Sequence, residues 1–467
     1  MKIKLIKLRI FLFSLIVFFI SFNNFKSILP GEILGEASYY FLFAFIYFEI
    51  FNSIKIGGKI LITKTMKNYQ KIVLIIFLFI LVSFILNFGN ILFNNFKGQR
   101  GLTRFVWQFI IYILTFIIQV LFFSNFFNEF PIVKLKTIIL KPINISISII
   151  AFFGFFQYLS SYYSMNLFFL IKWINFLPFA NIEPNTGINR LMVFSREPSY
   201  FVNYLVFCFP FLILQLKEQT FIKNYLRVLV CFILIFLSDS RIGLIIAVFQ
   251  IILYMLRLFR DKKIKTEYLL RSVNVIILFF TIIITLFFTN KKVNQFVLKK
   301  IERFDFTASP NVTTSNSTRY YSTLAGVKVG IQNPLFGVGL GQNGYYLCQN
   351  IPQLVKRENY EIRKFNCNCG EKLFPIAYSL PVRIFSELGL IGFFLFSLLF
   401  LYLLKIGLNV LKKTKYSQDN EFVFTILVVF CSLFLFSFQI DTFRFITLWI
   451  VVSLILYLNE YRFKTNN

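Results

Sequence analysis

Long apolar runs, separated by short basic segments, constrain the fold of this chain more than any other feature. Runs of about 17 residues or more recur along the whole sequence, close to the length that a helix needs to cross a bilayer. The chain is 57% hydrophobic and 20% aromatic over 467 residues. We therefore predict an all-α polytopic membrane protein with about twelve transmembrane helices.

The lysine distribution predicts how these helices are oriented. The formal net charge is +29, and most lysines lie in the short segments between alternate apolar runs. The positive-inside rule places such segments in the cytoplasm, where they also meet anionic lipid. We expect an inner-membrane protein with both termini cytoplasmic. Nucleic acid is not an expected partner, because no DNA- or RNA-reading motif is present.

This topology divides the chain into three segments. Residues 1–289 carry helices one to nine and include an outer segment at 160–197. Residues 290–379 form one large extracytoplasmic loop, and residues 380–467 carry helices ten to twelve with the cytoplasmic C-terminus.

Within this plan, several helices have specific predicted bounds. Helix five spans 143–159 and follows an inner loop that contains Lys134, Lys136 and Lys141. Residues 167–179 are an amphipathic candidate for the membrane interface. Helix nine spans 273–288, and helix ten spans 388–404.

Arginines differ from lysines because many lie on the predicted outer side. They are Arg100, Arg104, Arg190, Arg196, Arg241, Arg303, Arg319, Arg383 and Arg444. An arginine beside a membrane is costly without an anionic partner, and the guanidinium group matches phosphate geometry. The outer face is therefore predicted to bind a phosphate-bearing ligand.

Histidine is absent from the chain. Acid–base chemistry would then use carboxylates, tyrosine or lysine, and a zinc site built on histidine is excluded. We expect neither a metal nor a cofactor.

The six cysteines divide into two groups. Cys208, Cys231 and Cys431 lie in apolar runs and are expected to be small core residues. Cys348, Cys367 and Cys369 lie in the large outer loop. A disulfide from Cys348 to either Cys367 or Cys369 is plausible there.

The first candidate site is Glu197, which comes just before Pro198 at the start of a predicted helix. Proline suits the first helical turn, and the helix dipole favours an ionised carboxylate there. Arg190 and Arg196 flank this residue. Glu197 could accept a proton from a hydroxyl nucleophile, or it could belong to a structural ion pair.

Three further patterns have local explanations. Ser240 can cap a helix and leave Arg241 in its first turn, where a cation suggests a nearby anion or neutralisation by Asp239. Arg383 and Glu387 have the i, i+4 spacing of a helical ion pair. The glycines in 333–341 are predicted to allow close backbone approach to membrane helices, because the strand and Gly-Lys-Ser/Thr of a nucleotide site are missing.

Motifs between about residues 190 and 400 resemble the O-antigen polymerase and ligase superfamily, which includes Wzy-type polymerases and WaaL-type ligases. They are Glu197-Pro-Ser-Tyr200, Ser240-Arg241-x-Gly243, Arg319 followed by Asn333-Pro-Leu-Phe-Gly-Val-Gly-Leu-Gly341, and Glu387-Leu-Gly-Leu-Ile-Gly392. The resemblance implies a bacterial membrane enzyme of GT-C-like architecture. Its implied partners are undecaprenyl-diphosphate-linked oligosaccharide, membrane lipids, a flippase and a chain-length regulator.

One departure from the family pattern bears on the reaction. Ligases of this superfamily carry His-Asn about nine residues before the glutamate that aligns with Glu387, whereas this chain has Tyr378-Ser379. The departure favours a polymerase of polysaccharide repeat units over a ligase, and a glycolipid transporter is the third alternative. For the polymerase, the catalytic candidates are Glu197, Arg241 and Arg319. The substrate-binding candidates are Arg190, Arg196, Arg383, Tyr320 and Tyr378.

Overall fold

A computed structural model of the protein describes residues 2–24, 35–55, 62–163, 190–217, 221–260, 314–368, 374–414, 417 and 419–461. Its α-helices are α1 (Lys2–Phe19), α2 (Ala37–Lys55), α3 (Lys64–Leu86), α4 (Phe88–Phe93), α5 (Gly101–Tyr112), α6 (Val120–Phe127), α7 (Ile132–Tyr163), α8 (Pro198–Leu214), α9 (Phe221–Leu237), α10 (Arg241–Arg260), α11 (Thr314–Gln332), α12 (Asn343–Asn350), α13 (Gln353–Glu358), α14 (Leu380–Lys413), α15 (Asn420–Phe436) and α16 (Ile446–Glu460). Two π-helical turns, Ile113–Gln119 and Ile362–Cys367, and a 3₁₀ turn, Gln215–Lys217, complete the helical structure. Two strands of two residues each, β1 (Asn95–Phe96) and β2 (Gln99–Arg100), pair in an antiparallel hairpin.

The long apolar helices identify an α-helical membrane protein. Within the described residues, Lys64–Leu86, Gly101–Phe127, Ile132–Leu159 and Leu380–Lys413 are long and apolar enough to cross a membrane. Pro198–Leu214, Asn420–Phe436 and Ile446–Glu460 are shorter apolar helices. The class is as predicted, while the total of about twelve spans stays a prediction.

The predicted start of helix five is wrong. Helix α7 begins at Ile132, so Lys134, Lys136 and Lys141 lie on this helix instead of in a loop. Long lysine side chains can lie along a helix while their amines reach polar partners. The Lys136 Nζ lies 3.1 Å from Asp419 Oδ1, and the Lys134 Nζ stands 4.9 Å from the Phe130 ring centroid.

Helix ten also starts earlier than predicted, at Leu380, because Pro381 fits the first turn of α14. Four other predictions concern residues outside the described ranges. They are the interface segment 167–179, helix nine at 273–288, Arg303 and Cys369.

The core of the bundle is rich in phenylalanine. The Phe13 ring of α1 lies 5.1 to 6.4 Å from four other rings, those of Phe45, Phe123, Phe126 and Phe127. Helix α8 is buried from Phe201 to Leu212, and α16 is buried over most of its length. Burial on all faces makes α8 a central helix of the bundle. Glu197 lies at its N-terminal end.

A buried ion cluster joins α1 and α2 to the end of α6, and the sequence analysis did not predict it. Arg9 is 1% exposed. It donates two hydrogen bonds to the Glu49 carboxylate, at 2.6 and 2.8 Å, and two to the Glu129 carboxylate, at 2.7 and 2.8 Å. The cluster ties these helices together, because a buried arginine is stable only with such partners.

Helix α14 is interrupted at Gly389, whose φ of 66° is left-handed. The bend at residues 333–341 supplies backbone hydrogen bonds at this break, from Val338 N to Ser386 O (3.0 Å), Gly339 N to Glu387 O (2.8 Å) and Leu390 N to Pro334 O (2.7 Å). A Cβ on Gly337 would lie 2.3 Å from the Glu387 carbonyl carbon. The prediction that these glycines permit close backbone approach is confirmed.

Residues 314–368 and 374–379, which we call the cap segment, have a small core of their own. It contains Ala325, Leu347, Ile351, Val355 and Ile362. A disulfide between Cys348 and Cys367 joins α12 to the π-helical turn Ile362–Cys367. The structure thus selects one of the two pairings that the sequence left open.

Candidate functional site

A cavity of about 400 Å³ lies between the cap segment and the adjacent ends of the bundle helices. Two parts of its lining differ in chemistry. The charged wall consists of Glu36, Arg104, Arg196, Glu197, Arg383, Glu387, Asp441 and Arg444. The amide wall consists of Asn343, Gly344, Phe365, Asn366, Phe374 and Tyr378.

Arg383 is the most firmly held cation of the charged wall. It is 7% exposed and donates hydrogen bonds through all its nitrogens: Nε to Glu387 Oε1 at 3.1 Å, Nη1 to Asp441 O at 2.6 Å and Nη2 to Gln108 Oε1 at 2.8 Å. The predicted pairing of Arg383 with Glu387 is confirmed. These bonds fix the position of the guanidinium before any ligand binds, which is the arrangement that stabilises charge most effectively.

Glu197 and Arg196 lie where α8 begins, and both side chains are exposed. Glu197 occupies the N-cap position and Pro198 begins the helix, as predicted. The Ser199 hydroxyl donates to Glu197 Oε2 at 3.1 Å, while the Arg196 backbone N–H donates to Asn23 Oδ1 at 2.8 Å. The Glu197 carboxylate is thus open to the cavity and held at the positive end of a helix dipole.

Tyr378 belongs to the amide wall and has a left-handed φ of 56°. Its ring centroid lies 5.2 Å from Arg319 Cζ. Burial raises the pKa of the Tyr378 phenol, and the charge of Arg319 opposes this rise. The phenol therefore stays protonated at neutral pH, so it can donate a hydrogen bond.

The remaining arginines among the predicted site residues lie outside the cavity lining, and we call them the rim arginines: Arg190, Arg241 and Arg319. The Arg190 Nε lies 3.4 Å from Asp239 Oδ2. With the Asn316 amide oriented so that its oxygen faces Arg241, this oxygen accepts from both terminal nitrogens at 2.9 and 3.1 Å. Asn316 and Arg319 are i, i+3 neighbours on α11, so Arg241 lies on the same side as Arg319.

Gly243 explains why the Ser240-Arg241-x-Gly243 motif contains a glycine. A Cβ at this position would lie 2.1 Å from Val202 Cγ1 on α8. The glycine therefore lets α10 approach α8 closely. Arg241, the first residue of α10, is therefore held near α8, the helix that begins after Glu197.

The structure brings together only some of the predicted site residues. Among the described residues, the cavity lining includes Arg196, Glu197, Tyr378 and Arg383, whereas Arg190, Arg241, Arg319 and Tyr320 lie outside it. Arg319 contacts the lining through Tyr378. The Tyr320 side chain is 60% exposed.

Five charged residues of the cavity were not selected as site residues from the sequence, and one of them, Glu387, was predicted only as the partner of Arg383. Arg104 and Arg444 carried one signal, because both are arginines on the predicted outer side. The Arg104 Cζ lies 3.5 Å from the Phe374 ring centroid, and Nε donates to Gly341 O at 3.0 Å. Arg444 Nε lies 3.8 Å from Glu36 Oε1.

Glu36 and Asp441 gave no comparable signal in the sequence. The Asp441 carboxylate accepts a hydrogen bond from the Ala377 backbone N–H at 2.9 Å. This bond links the segment between α15 and α16 to the cap segment.

Within the described ranges, no group of three or more histidine, cysteine, aspartate or glutamate side chains is arranged to hold a metal ion.

A polar cavity with fixed arginines at the ends of apolar helices suits an anionic ligand, because guanidinium groups match the geometry of phosphates and carboxylates. Residues 226–397 match a family model described as O-antigen ligase. This match, which contains Arg241, Arg319, Arg383 and Glu387, confirms the resemblance to the O-antigen polymerase and ligase superfamily. A comparison with curated proteins finds no match.

The family match supports a function of the O-antigen ligase or polymerase type in general. Members of the matching family are membrane glycosyltransferase-like enzymes, and the family implies lipid-linked oligosaccharide substrates.

Proposed function

We propose that the protein is a polymerase that joins undecaprenyl-diphosphate-linked oligosaccharide repeat units at the outer face of the cytoplasmic membrane. The observation that carries this proposal is the juxtaposition of an exposed carboxylate, Glu197, with fixed guanidinium groups in one cavity of about 400 Å³. Transfer from a lipid diphosphate needs both a base for the hydroxyl and cations for the leaving group.

In the proposed reaction, a sugar hydroxyl of one repeat unit attacks the anomeric carbon of another. Glu197 accepts the hydroxyl proton. A new glycosidic bond forms while the bond from the anomeric carbon to the diphosphate oxygen breaks. Undecaprenyl diphosphate leaves with the bonding electron pair.

The arginines would offset the charge that develops on the leaving diphosphate. We assign this role to Arg241 and Arg319, which a diphosphate would reach only where it extends beyond the cavity lining. We assign substrate binding to Arg190, Arg196 and Arg383. Tyr378 would donate a hydrogen bond to the substrate because its phenol stays protonated. Tyr320 is exposed and would offer a ring for sugar stacking.

The Cys348–Cys367 disulfide supports the proposed orientation. Such bonds persist in oxidising compartments outside the cytoplasm, which favours an extracytoplasmic cap segment. About twelve spans, cytoplasmic termini and a GT-C-like architecture belong to the same proposal. A flippase and a chain-length regulator would be its partners.

A second candidate is the transfer of a lipid-linked glycan to a different acceptor, as a ligase does. The matching family is described as O-antigen ligase, which favours this candidate. Tyr378-Ser379 in place of His-Asn favours the polymerase. Long chains made by the purified protein from repeat units alone would identify a polymerase, whereas single transfers to another acceptor would identify a ligase.

The Glu197→Gln variant tests the chemistry directly. We expect the rate of polymer formation by reconstituted protein to fall by about 100-fold or more, because the amide cannot accept the hydroxyl proton. Chain length and rate are measured by gel electrophoresis of the products. Glu358→Gln, an exposed position on α13, is the matched control and should leave the rate unchanged. A polymer made at the normal rate by Glu197→Gln would exclude Glu197 from the reaction.

A further inference from the structure

One cavity residue, Gln108 of α5, belongs to neither wall and is not used by the proposed reaction. Its side chain is 6% exposed and lines the cavity. The Oε1 atom accepts a hydrogen bond from Arg383 Nη2 at 2.8 Å. A guanidinium group can only donate, so this bond fixes which end of the amide is oxygen and which is nitrogen. The Nε2 atom, with its two N–H groups, is the end that Arg383 leaves unused.

The Nε2 atom is open to the cavity. Among the described residues, Gln108 donates no hydrogen bond, and its Nε2 is not one of the buried side-chain atoms that lack a partner. This nitrogen therefore keeps accessible surface. Helix α5 lines the cavity with Arg104, Gln108 and Ile111, at the helical spacing of i, i+4 and i+7, while Val106 and Ile110 are exposed on its opposite face. The accessible surface of Nε2 thus lies on the cavity side.

Gly341, the last residue of the glycine-rich bend, positions this face of α5. Its φ of 79° is left-handed, and a Cβ there would lie 2.9 Å from Gln108 Cγ. The Gly341 carbonyl also accepts the hydrogen bond from Arg104 Nε. A residue with a Cβ would push Gln108 aside. The bend therefore places Gln108 and Arg104 one helical turn apart beside the cavity.

Two cations act on the open N–H groups of Gln108. Arg104 lines the cavity from the same face of α5. Arg383 donates to the amide oxygen, and this bond polarises the amide, so its N–H groups become stronger donors. Strong donors beside two guanidinium groups suit a negatively charged oxygen, and hydrogen bonds to phosphate oxygens are among the strongest in proteins.

We propose that Gln108 binds a phosphate oxygen in the cavity, with Nε2 as the donor and Arg104 and Arg383 as the flanking cations. The inference rests on the proposed function, in which the phosphate belongs to the diphosphate of the lipid-linked substrate. It also gives the buried Arg383 a route to the ligand, because the amide of Gln108 extends the influence of its charge into the cavity.

Two substitutions separate ligand binding from support of Arg383. Gln108→Glu keeps an oxygen for Arg383 but presents a second, negatively charged oxygen to the cavity. Gln108→Met removes the acceptor and the donors together and keeps a side chain of similar length. Inorganic pyrophosphate and undecaprenyl diphosphate are each titrated against the purified full-length protein in detergent.

The order of the two effects is the decisive result. Gln108→Met should weaken binding of both ligands by about tenfold, the effect of one lost hydrogen bond to an anion. Gln108→Glu should weaken it by about 100-fold, because repulsion is added to the lost bond. The Tm of Gln108→Glu should match the wild type, since Arg383 keeps its partner. If Gln108 served only to hold Arg383, Gln108→Glu would bind normally and Gln108→Met would not, and that order would overturn the proposal.

Gln99 offers a matched control. Its Oε1 accepts from Arg104 Nη1 at 2.9 Å, but Gln99 lies outside the described cavity lining. Gln99→Glu adds the same charge beside an arginine of α5, and binding of both ligands should stay within about twofold of the wild type. Equal weakening by Gln99→Glu and Gln108→Glu would also refute the proposal.

The two ligands distinguish this inference from the proposed function. If the wild type binds pyrophosphate through Gln108 but does not bind undecaprenyl diphosphate, the phosphate site stands and the proposed function falls. If the wild type and Gln108→Glu bind undecaprenyl diphosphate equally well, the function stands and the inference falls. Binding of neither ligand by the wild type would overturn both.

Discussion

The charged wall and the amide wall of the cavity differ in how their side chains are stabilised. The charged wall is built from the ends of α5, α8 and α14 and from the segments next to α2 and α16, where each cation can be paired with a carboxylate or a carbonyl. The amide wall comes from the cap segment and consists of uncharged residues, and a disulfide fixes α12 to the π-helical turn there. A charged side chain next to a membrane costs free energy and needs several fixed partners. A surface of uncharged side chains needs only a complementary shape and a few polar atoms to bind a ligand.

This difference has a consequence for how each wall tolerates change. Arg383 is bonded to Glu387, Gln108 and Asp441, which come from three separate parts of the chain. Altering it disturbs several elements. The amide wall depends mainly on its own small core and on one covalent link, so changes there should alter ligand preference more than folding.

The largest expected effect is at Arg383. Arg383→Met would leave the Glu387 carboxylate, whose side chain is 4% exposed, without its cation. We expect a loss of about 3–5 kcal/mol in the free energy of unfolding together with loss of polymerisation. Thermal unfolding in detergent and the product assay measure these effects.

A double variant separates folding from chemistry at this pair. Arg383→Met with Glu387→Leu removes both charges, so stability should recover while activity stays low. Recovery of activity along with stability would show that the charge of Arg383 serves only the fold.

Arg319 should have a smaller effect, confined to the reaction. Its Nη1 is buried without a hydrogen-bond partner among the described residues, so the side chain is not committed to holding the structure as Arg383 is. Arg319→Ala should lower kcat by about 100-fold with little change in thermal stability. Lys328→Ala, which removes an exposed cation from the same helix α11, is the control and should leave kcat unchanged. A normal kcat for Arg319→Ala would remove this rim arginine from catalysis.

The smallest of the three effects concerns the amide wall. Replacing both Cys348 and Cys367 with serine should weaken binding of the lipid-linked oligosaccharide by about fivefold to tenfold, because α12 is no longer fixed to the π-helical turn. Binding of undecaprenyl diphosphate should not change. Cys431→Ser on α15 serves as the control. If the paired serine variant lost both ligands equally, the two walls would not be independent.

Part of the site could be predicted from local sequence because the relevant interactions are local. Glu197 and Pro198 form a helix start within two residues, and Arg383 and Glu387 are one helical turn apart. The close approach of the glycine-rich bend was also predictable, since glycine has no Cβ to clash with the facing Glu387 backbone.

Other predictions failed or stayed open because the deciding contacts are distant in the chain. Lys136 was predicted to lie in a loop, but it lies on α7. Its amine contacts Asp419, which is 283 residues away in the chain. The choice of Cys367 as the partner of Cys348 depends on how α12 packs against the π-helical turn. No local pattern contains either contact.

The sequence by itself determined that this is an α-helical membrane protein and which motifs it shares with the O-antigen polymerase and ligase superfamily. It also predicted that many arginines lie on the side away from the lysine-rich segments. These properties follow from the hydropathy and charge of neighbouring residues. Only the tertiary structure decided which arginines line the cavity and which stand at its rim, and that Glu36 and Asp441 join them. The reason is that desolvation forces each buried charge to find a partner in space, and the chain distance to that partner does not matter.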